Sequence, residues 1–168
     1  PHRRIAYLSK ACEGGFSLFS EIVSCGRNAE KLRELFHWRL DGYWHNHFSF
    51  DMEARFASDS LSDTSVTLLI INVVAPLLYA FGAIRGDVDI SEKGQSILEN
   101  LPGENNGVTR QWETYGLKAE NAWRSQALLH LKKEYCDARK CLYCRFGNNM
   151  LRKAAGTEDS WSLLHYNP

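Results

Sequence analysis

Residues 64–84 read TSVTLLIINVVAPLLYAFGAI, without one Asp, Glu, Lys or Arg, while the segments on either side are half polar and amphipathic. This stretch is expected to be the axis of the fold. Laid out at about 100° per residue, Val66, Leu69, Ile70, Val73, Leu77 and Ile84 share one apolar side. Thr64, Thr67, Ala75, Tyr79, Gly82 and Ala83 gather on the other, so one side asks for bulky partners and the other admits close neighbours. About 20 apolar residues suffice to cross a bilayer. Asn72 and Pro76 would then sit near the membrane centre, and no basic or aromatic anchors bracket both ends. A core helix of a water-soluble domain is the expectation, with no membrane partner. Pro76 cannot donate to the carbonyl of Asn72 and its ring crowds that turn, which predicts a kink or a break into two helices.

The 168 residues are enough for one domain with a substantial core. Twenty basic and twenty acidic side chains cancel, so no global field recruits nucleic acid or an anionic membrane. Five cysteines is an odd number and no secretory signal is visible, which reads as a reducing, cytoplasmic setting. The first residue is Pro1, not Met, so the chain reads as an excised part of a longer protein.

Outward from the central run, helical periodicity recurs. Ile5, Leu8 and Cys12 mark a helix over Pro1 to Glu13, ended by Gly14 and Gly15. Phe16, Phe19, Ile22 and Val23 mark a second, stopped by Gly26. Asn28 is an N-cap for a third, with Leu32, Leu35 and Phe36 inward. Asp41 to Phe56 alternates with period two but lacks an evident partner strand, so it is expected to be an aromatic loop over the core. Its His45 and His47 suit a metal site by spacing, or simply a packed loop. Ser62 or Asp63 caps the central helix. A capping box at Asp89 and Glu92 opens another helix, with Ile90, Ile97, Leu98 and Leu101 inward. Val108, Trp112 and Tyr115 define a short helix closed by Gly116. The last strong helix runs from about Ala119 to Tyr135, with Trp123, Ala127, Leu128, Leu131 and Tyr135 inward. From Ala154 a loosely docked or disordered tail is expected. The fold class that results is all-α: a single-domain irregular bundle of seven or eight helices over 1–153, followed by the tail 154–168.

Two constellations carry chemistry. Cys136, Cys141 and Cys144 are spaced Cys-x4-Cys-x2-Cys, and three thiols this close can converge on one Zn²⁺. A closed site needs a fourth ligand, for which Cys12, Cys25, His45, His47 and His165 qualify by chemistry alone. An iron–sulfur cluster is conceivable, but no fourth cysteine follows at useful spacing. The plain alternative is three reduced cysteines packed as small hydrophobes. Around them lie Lys132, Lys133, Arg139, Lys140, Arg145, Arg152 and Lys153, with Tyr135, Tyr143 and Phe146 interleaved. Lys140, Arg139, Arg145 and Tyr143 are the binding candidates, because cations grip a phosphate backbone and aromatic rings stack on bases. A solvated charged face is the bland reading of the same residues. No nucleophile elbow, phosphate-cradling loop or His-Glu-x-x-His helix occurs, so no catalytic residue is assigned.

The order RIAYL (4–8), GYWHNHFSFD (42–51), IINVVAPLLYAFG (70–82) and SQALLHLKKEYCDARKCLYCRFGN (125–148) resembles the C-terminal half of a bacterial family, domain of unknown function 2851. The resemblance implies a helical region of a longer uncharacterised protein, whose upstream half carries acidic motifs similar to those of PD-(D/E)XK nucleases. It brings no catalytic residue onto this chain. The expectation is therefore a non-catalytic helical module that docks on a protein partner, on its own upstream domain or on nucleic acid. The alternative is an enzyme, with a site near Asn72, Pro76 and the His45/His47 loop, or the accessory region of a nuclease-like enzyme.

Overall fold

The computed structural model describes residues 2–13, 17–53 and 60–156. Among them are nine helices: α1 (His2–Glu13), α2 (Ser17–Ser24), α3 (Ala29–Glu34), α4 (Tyr43–Asn46), α5 (Asp63–Arg85), α6 (Val88–Asn100), α7 (Gly107–Thr114), α8 (122–136) and α9 (Arg145–Ala154). The fold is all-α, with one small hairpin. The stops expected at Gly14 and Gly15, the ring of Phe16, Phe56 and residues 157–168 lie outside the described residues.

Local hydrogen bonds explain where these helices begin and end. Asn28 Oδ1 accepts the N–H groups of Glu30 and Lys31 at 3.0 and 3.1 Å, satisfying two donors that the first turn of α3 leaves open. Ser62 Oγ accepts from Ser65 N–H at 3.3 Å at the head of α5. The cap of α6 is Asp87, not Asp89: Asp87 Oδ1 accepts from Ile90 N–H at 3.1 Å. Gly86, at φ 68°, ends α5, and Asp87 N–H donates back to the Gly82 carbonyl at 2.8 Å. One residue in the left-handed region thus closes α5, and the next opens α6. Asp89 instead pairs with Lys93 at 2.9 Å, and that contact holds its carboxyl below the usual carboxylate range.

The described residues form two compact units. The first takes Pro1–Glu104 with Ala119–Arg124. Its core holds Ile22, Leu32, Phe36, Val66, Ile70, Ile71, Val74, Leu78, Ile97, Leu101 and Ala122. Ala122 N–H donates to the Leu101 carbonyl at 2.9 Å, which stitches the returning segment 119–124 to the end of α6.

Within this unit α5 and α6 pack backbone against backbone. A Cβ on Gly94 would lie 2.6 Å from the Ala75 carbonyl oxygen, and one on Gly82 would lie 2.7 Å from the Asp87 carbonyl oxygen. Only glycine fits at either place. The expectation of a small-residue side on the central helix is met at Ala75 and Gly82, both buried.

The bulky side of α5 is not where a regular helix would put it. Buried are Val66, Ile70, Val74, Leu78 and Gly82, each four residues after the last, together with Ile71 and Ala75. Val73, Leu77 and Ile84, expected inside, are exposed. In an α-helix a spacing of four drifts about 40° per step, because each turn takes about 3.6 residues. Residues Ile70–Val74 wind instead as a π-helix, with Ala75 N–H donating to the Ile70 carbonyl. The wider turn absorbs a residue and keeps the stripe in line. It also accommodates Pro76, which follows as one of the first residues of the resumed α-helix, where a missing N–H costs little. The distortion expected at Pro76 is this π-turn, and the helix runs on unbroken.

Two further faces differ from expectation. In α1 the inward residue is Tyr7, with its ring centroid 6.1 Å from Trp38, while Ile5 and Leu8 are exposed. The segment expected to be a loop forms α4 and then a hairpin, β1 (His47–Ser49) against β2 (Met52–Glu53). The period-two pattern was a strand signal after all, and the partner lies only a turn away. Asp51 takes φ 58° in that turn, and its N–H donates to Tyr43 Oη at 2.9 Å.

The second unit takes Asn105–Lys118 and the described residues from Ser125 onward. Asn106 and Thr109 form a capping box at the head of α7, and Gly116, at φ 83°, closes it. Trp112 Nε1 donates to the Leu128 carbonyl at 3.2 Å, fixing α7 on α8. The inward stripe expected on α8 is only partly met. Ser125 is fully buried, whereas Trp123 and Ala127 are exposed.

These placements separate neighbouring positions. Val74→Asp sets an unpaired carboxylate in the core and should cost several kcal/mol, whereas Val73→Asp should stay within about 0.5 kcal/mol of the parent. Gly94→Ala forces two backbones apart and should cost about 1–3 kcal/mol. Urea denaturation checks all three. Equal losses at 73 and 74 would show that the stripe lies on the other face.

Candidate nucleic-acid interface and cysteine cluster

The chain from Ala138 to Thr157 contains no Asp or Glu. Within it Arg139, Lys140, Arg145, Arg152 and Lys153 are all exposed. Lys132 pairs with Asp137, and Lys133 with Glu134 at 3.6 Å, so those two cations are already answered. Arg139, Lys140, Arg145 and Lys153 make no ion pair among the described residues. Tyr143 is 84 % exposed and Phe146 63 %, and they stand in the same run. Positive charge and open rings therefore occur together, without a carboxylate between them.

Backbone geometry sets this run out. The π-wound end of α8, Leu131–Cys136, is closed by two bonds: Arg139 N–H to the Cys136 carbonyl at 3.1 Å and Lys140 N–H to the Tyr135 carbonyl at 2.8 Å. This pairing is a Schellman closure, which needs a left-handed residue, and Arg139 supplies it at φ 52°. A second turn brings Cys144 N–H to the Lys140 carbonyl at 3.0 Å and starts α9. Along α9, Phe146 and Met150, at 63 % and 73 % exposure, share one side with Lys153, which follows Phe146 by seven residues, and Arg145 and Arg152 lie toward the other.

The three cysteines sit at this junction. Cys136 ends α8, Cys141 lies in the turn, and Cys144 is the residue before α9. Cys136 and Cys141 are exposed, and Cys144 is buried at 7 %. Burial pushes the Cys136 thiol up, and the nearby sulfurs of Cys144 and then Cys141 add to the rise against an opposing pull from Lys132. Among the described residues, no three His, Cys, Asp or Glu side chains are arranged to hold a metal ion.

The remaining candidates lie in the first unit. Cys12 is exposed, and burial pushes the half-buried Cys25 thiol up. His47 stacks on Tyr43 with ring centroids 3.8 Å apart and donates from Nδ1 to the Tyr43 carbonyl at 2.9 Å; His45 is exposed. His165 lies outside the described residues. Asn72 is exposed on α5 and spends its amide on the Leu68 carbonyl at 2.9 Å. A feature the sequence did not signal is an open groove of about 580 Å³ lined by Lys10, Glu13, Glu21, Glu34 and Trp38 among others. Neither His45, His47, Asn72 nor Pro76 lines it. Its residues come from α1, α2, the end of α3 and the segment that follows it, so no sequence spacing could have grouped them.

A family model described as protein of unknown function (DUF2851) matches residues 1–107. The chain belongs to this family. The match takes in α1 to α6 and the aromatic hairpin, and it stops short of the basic, cysteine-bearing run. No curated protein and no solved structure matches the chain.

Arg139 allows a test of the turn that does not involve charge. Both Arg139→Gly and Arg139→Ala remove the cation, but only glycine takes φ 52° without strain. The Gly variant should be about 1 kcal/mol more stable than the Ala variant. Chemical denaturation decides it, and an Ala variant as stable as the Gly one would count against the left-handed turn.

Proposed function

We propose that this DUF2851 member is a non-catalytic helical module of a larger cytoplasmic protein, and that the run from Arg139 to Lys153 docks it on nucleic acid. The observation that carries this reading is the acid-free stretch with exposed cations and the open rings of Tyr143 and Phe146. Arg and Lys neutralise phosphates and release counterions, while a ring accepts any base on its face, so the contact is electrostatic and indifferent to sequence. Single strands suit it better than duplex, because stacking needs bases already out of a helix. Such a module would hold an upstream domain of the same protein on its substrate.

Fluorescence anisotropy with a labelled single-stranded oligonucleotide tests this. Affinity should fall steeply between about 50 and about 200 mM salt, with little dependence on base sequence. Joint charge reversal at Arg139, Lys140 and Arg145 should abolish binding, and Tyr143→Ala should cost about 1–3 kcal/mol. Binding that survives high salt or the triple reversal would overturn the proposal.

A further inference from the structure

The cysteine junction carries a second reading that stands whether or not the run binds nucleic acid. Cys144 N–H donates to the Cys141 carbonyl at 3.3 Å as well as to Lys140, so residues 141–144 close a tight turn. A turn of this kind holds its first and last Cα atoms within about 7 Å, near the span that a disulfide bridges. The turn is braced from α9. Asn148 Nδ2 donates to the Leu142 carbonyl at 3.0 Å, and Asn148 N–H donates to the Cys144 carbonyl at 2.8 Å. Gly147 lets Cys141 lie against the first turn of the helix: a Cβ there would stand 2.7 Å from the Cys141 carbonyl oxygen and 3.1 Å from its Cβ. One thiol of the pair faces solvent and the other is buried.

We propose that Cys141 and Cys144 form a redox-active dithiol that exchanges with low-molecular-weight disulfides of the glutathione type. Exposure makes Cys141 the attacking sulfur and burial makes Cys144 the resolving one. Cys136 is also exposed, but it ends α8 and lies outside the tight turn that residues 141–144 close. In the first step the Cys141 thiolate attacks one sulfur of oxidised glutathione. A Cys141–glutathione bond forms, the glutathione S–S bond breaks, and the leaving thiolate takes up a proton. In the second step the Cys144 thiolate attacks the Cys141 sulfur and expels the other glutathione, which is protonated in turn. The two cysteines lose two protons and two electrons together, and one disulfide becomes two thiols. Gly147 acts as a positioning residue, since it sets the distance of Cys141 from the helix.

The full chain is equilibrated with mixtures of reduced and oxidised glutathione, quenched in acid, alkylated and digested with trypsin. Cleavage after Lys140 and Arg145 isolates the peptide Cys141–Arg145, which should appear lighter by its two thiol hydrogens in a fraction set by the glutathione ratio. Cys144→Ser should leave a lasting glutathione adduct on Cys141, which the parent loses. Gly147→Ala should prolong that adduct, while a Cys12→Ser, Cys25→Ser double variant should behave as the parent does. A parent that keeps the adduct as long as Cys144→Ser would overturn the proposal. So would a disulfide joining the Cys136 peptide to Cys141–Arg145, or stoichiometric zinc that shields all three thiols until a chelator is added.

Discussion

Backbone contact between α5 and α6 is the constraint on which the first unit depends. Gly82 and Gly94 bring the two helices so close that carbonyl groups occupy the space where side chains would stand. Gly86 and Asp87 make this geometry reachable, because the left-handed residue and the cap that follows reverse the chain within two positions. Once the pair is closed, Ile97 and Leu101 join Ile70, Val74 and Leu78 in one dry cluster. Each buried aliphatic side chain there contributes on the order of 1.5–3 kcal/mol of transfer free energy. α2 and α3 then add Ile22, Leu32 and Phe36 to the same cluster.

The π-turn at Ile70–Val74 follows from the same closeness. A straight contact with α6 needs side chains that stay in line over several turns, and a spacing of four does so only if the helix is locally underwound. Pro76 fits that need, since the position behind a wide turn has a carbonyl that no N–H must meet. The result leaves Val73, Leu77 and Ile84 outward, so the apolar length of α5 is divided between a core face and a surface face. By length and composition alone α5 could span a membrane, yet only a third of its most apolar window is buried in the chain itself.

In the second unit the decisive feature is the arrangement of charge. The ion pairs at Lys132 and Lys133 settle the last turns of α8, while from Ala138 to Thr157 the chain itself carries no Asp or Glu. The Schellman turn at Arg139 redirects the chain there, at the expense of a strained residue, and Cys144 begins the next helix. Two turns in quick succession reverse the chain between Cys136 and Cys144, where a continuous helix would have run on for more than two turns. The family match ends at residue 107, before this junction.

What the sequence determined by itself is what depends on nearby residues. Asn28, Ser62 and Gly116 mark helix ends because a cap or a left-handed stop needs only its own turn, and they act as expected. The all-α class was legible for the same reason, as was the basic run. What only the tertiary structure decided is which face of each helix turns inward. Tyr7 replaced Ile5 because Trp38 offered it a ring, and Val74 replaced Val73 because α6 required a straight stripe. The cap moved from Asp89 to Asp87 because Gly86 had already reversed the chain. A periodicity fixes where apolar residues recur, but the rotation of a helix is fixed by the backbone packed against it, and that partner lies far along the sequence.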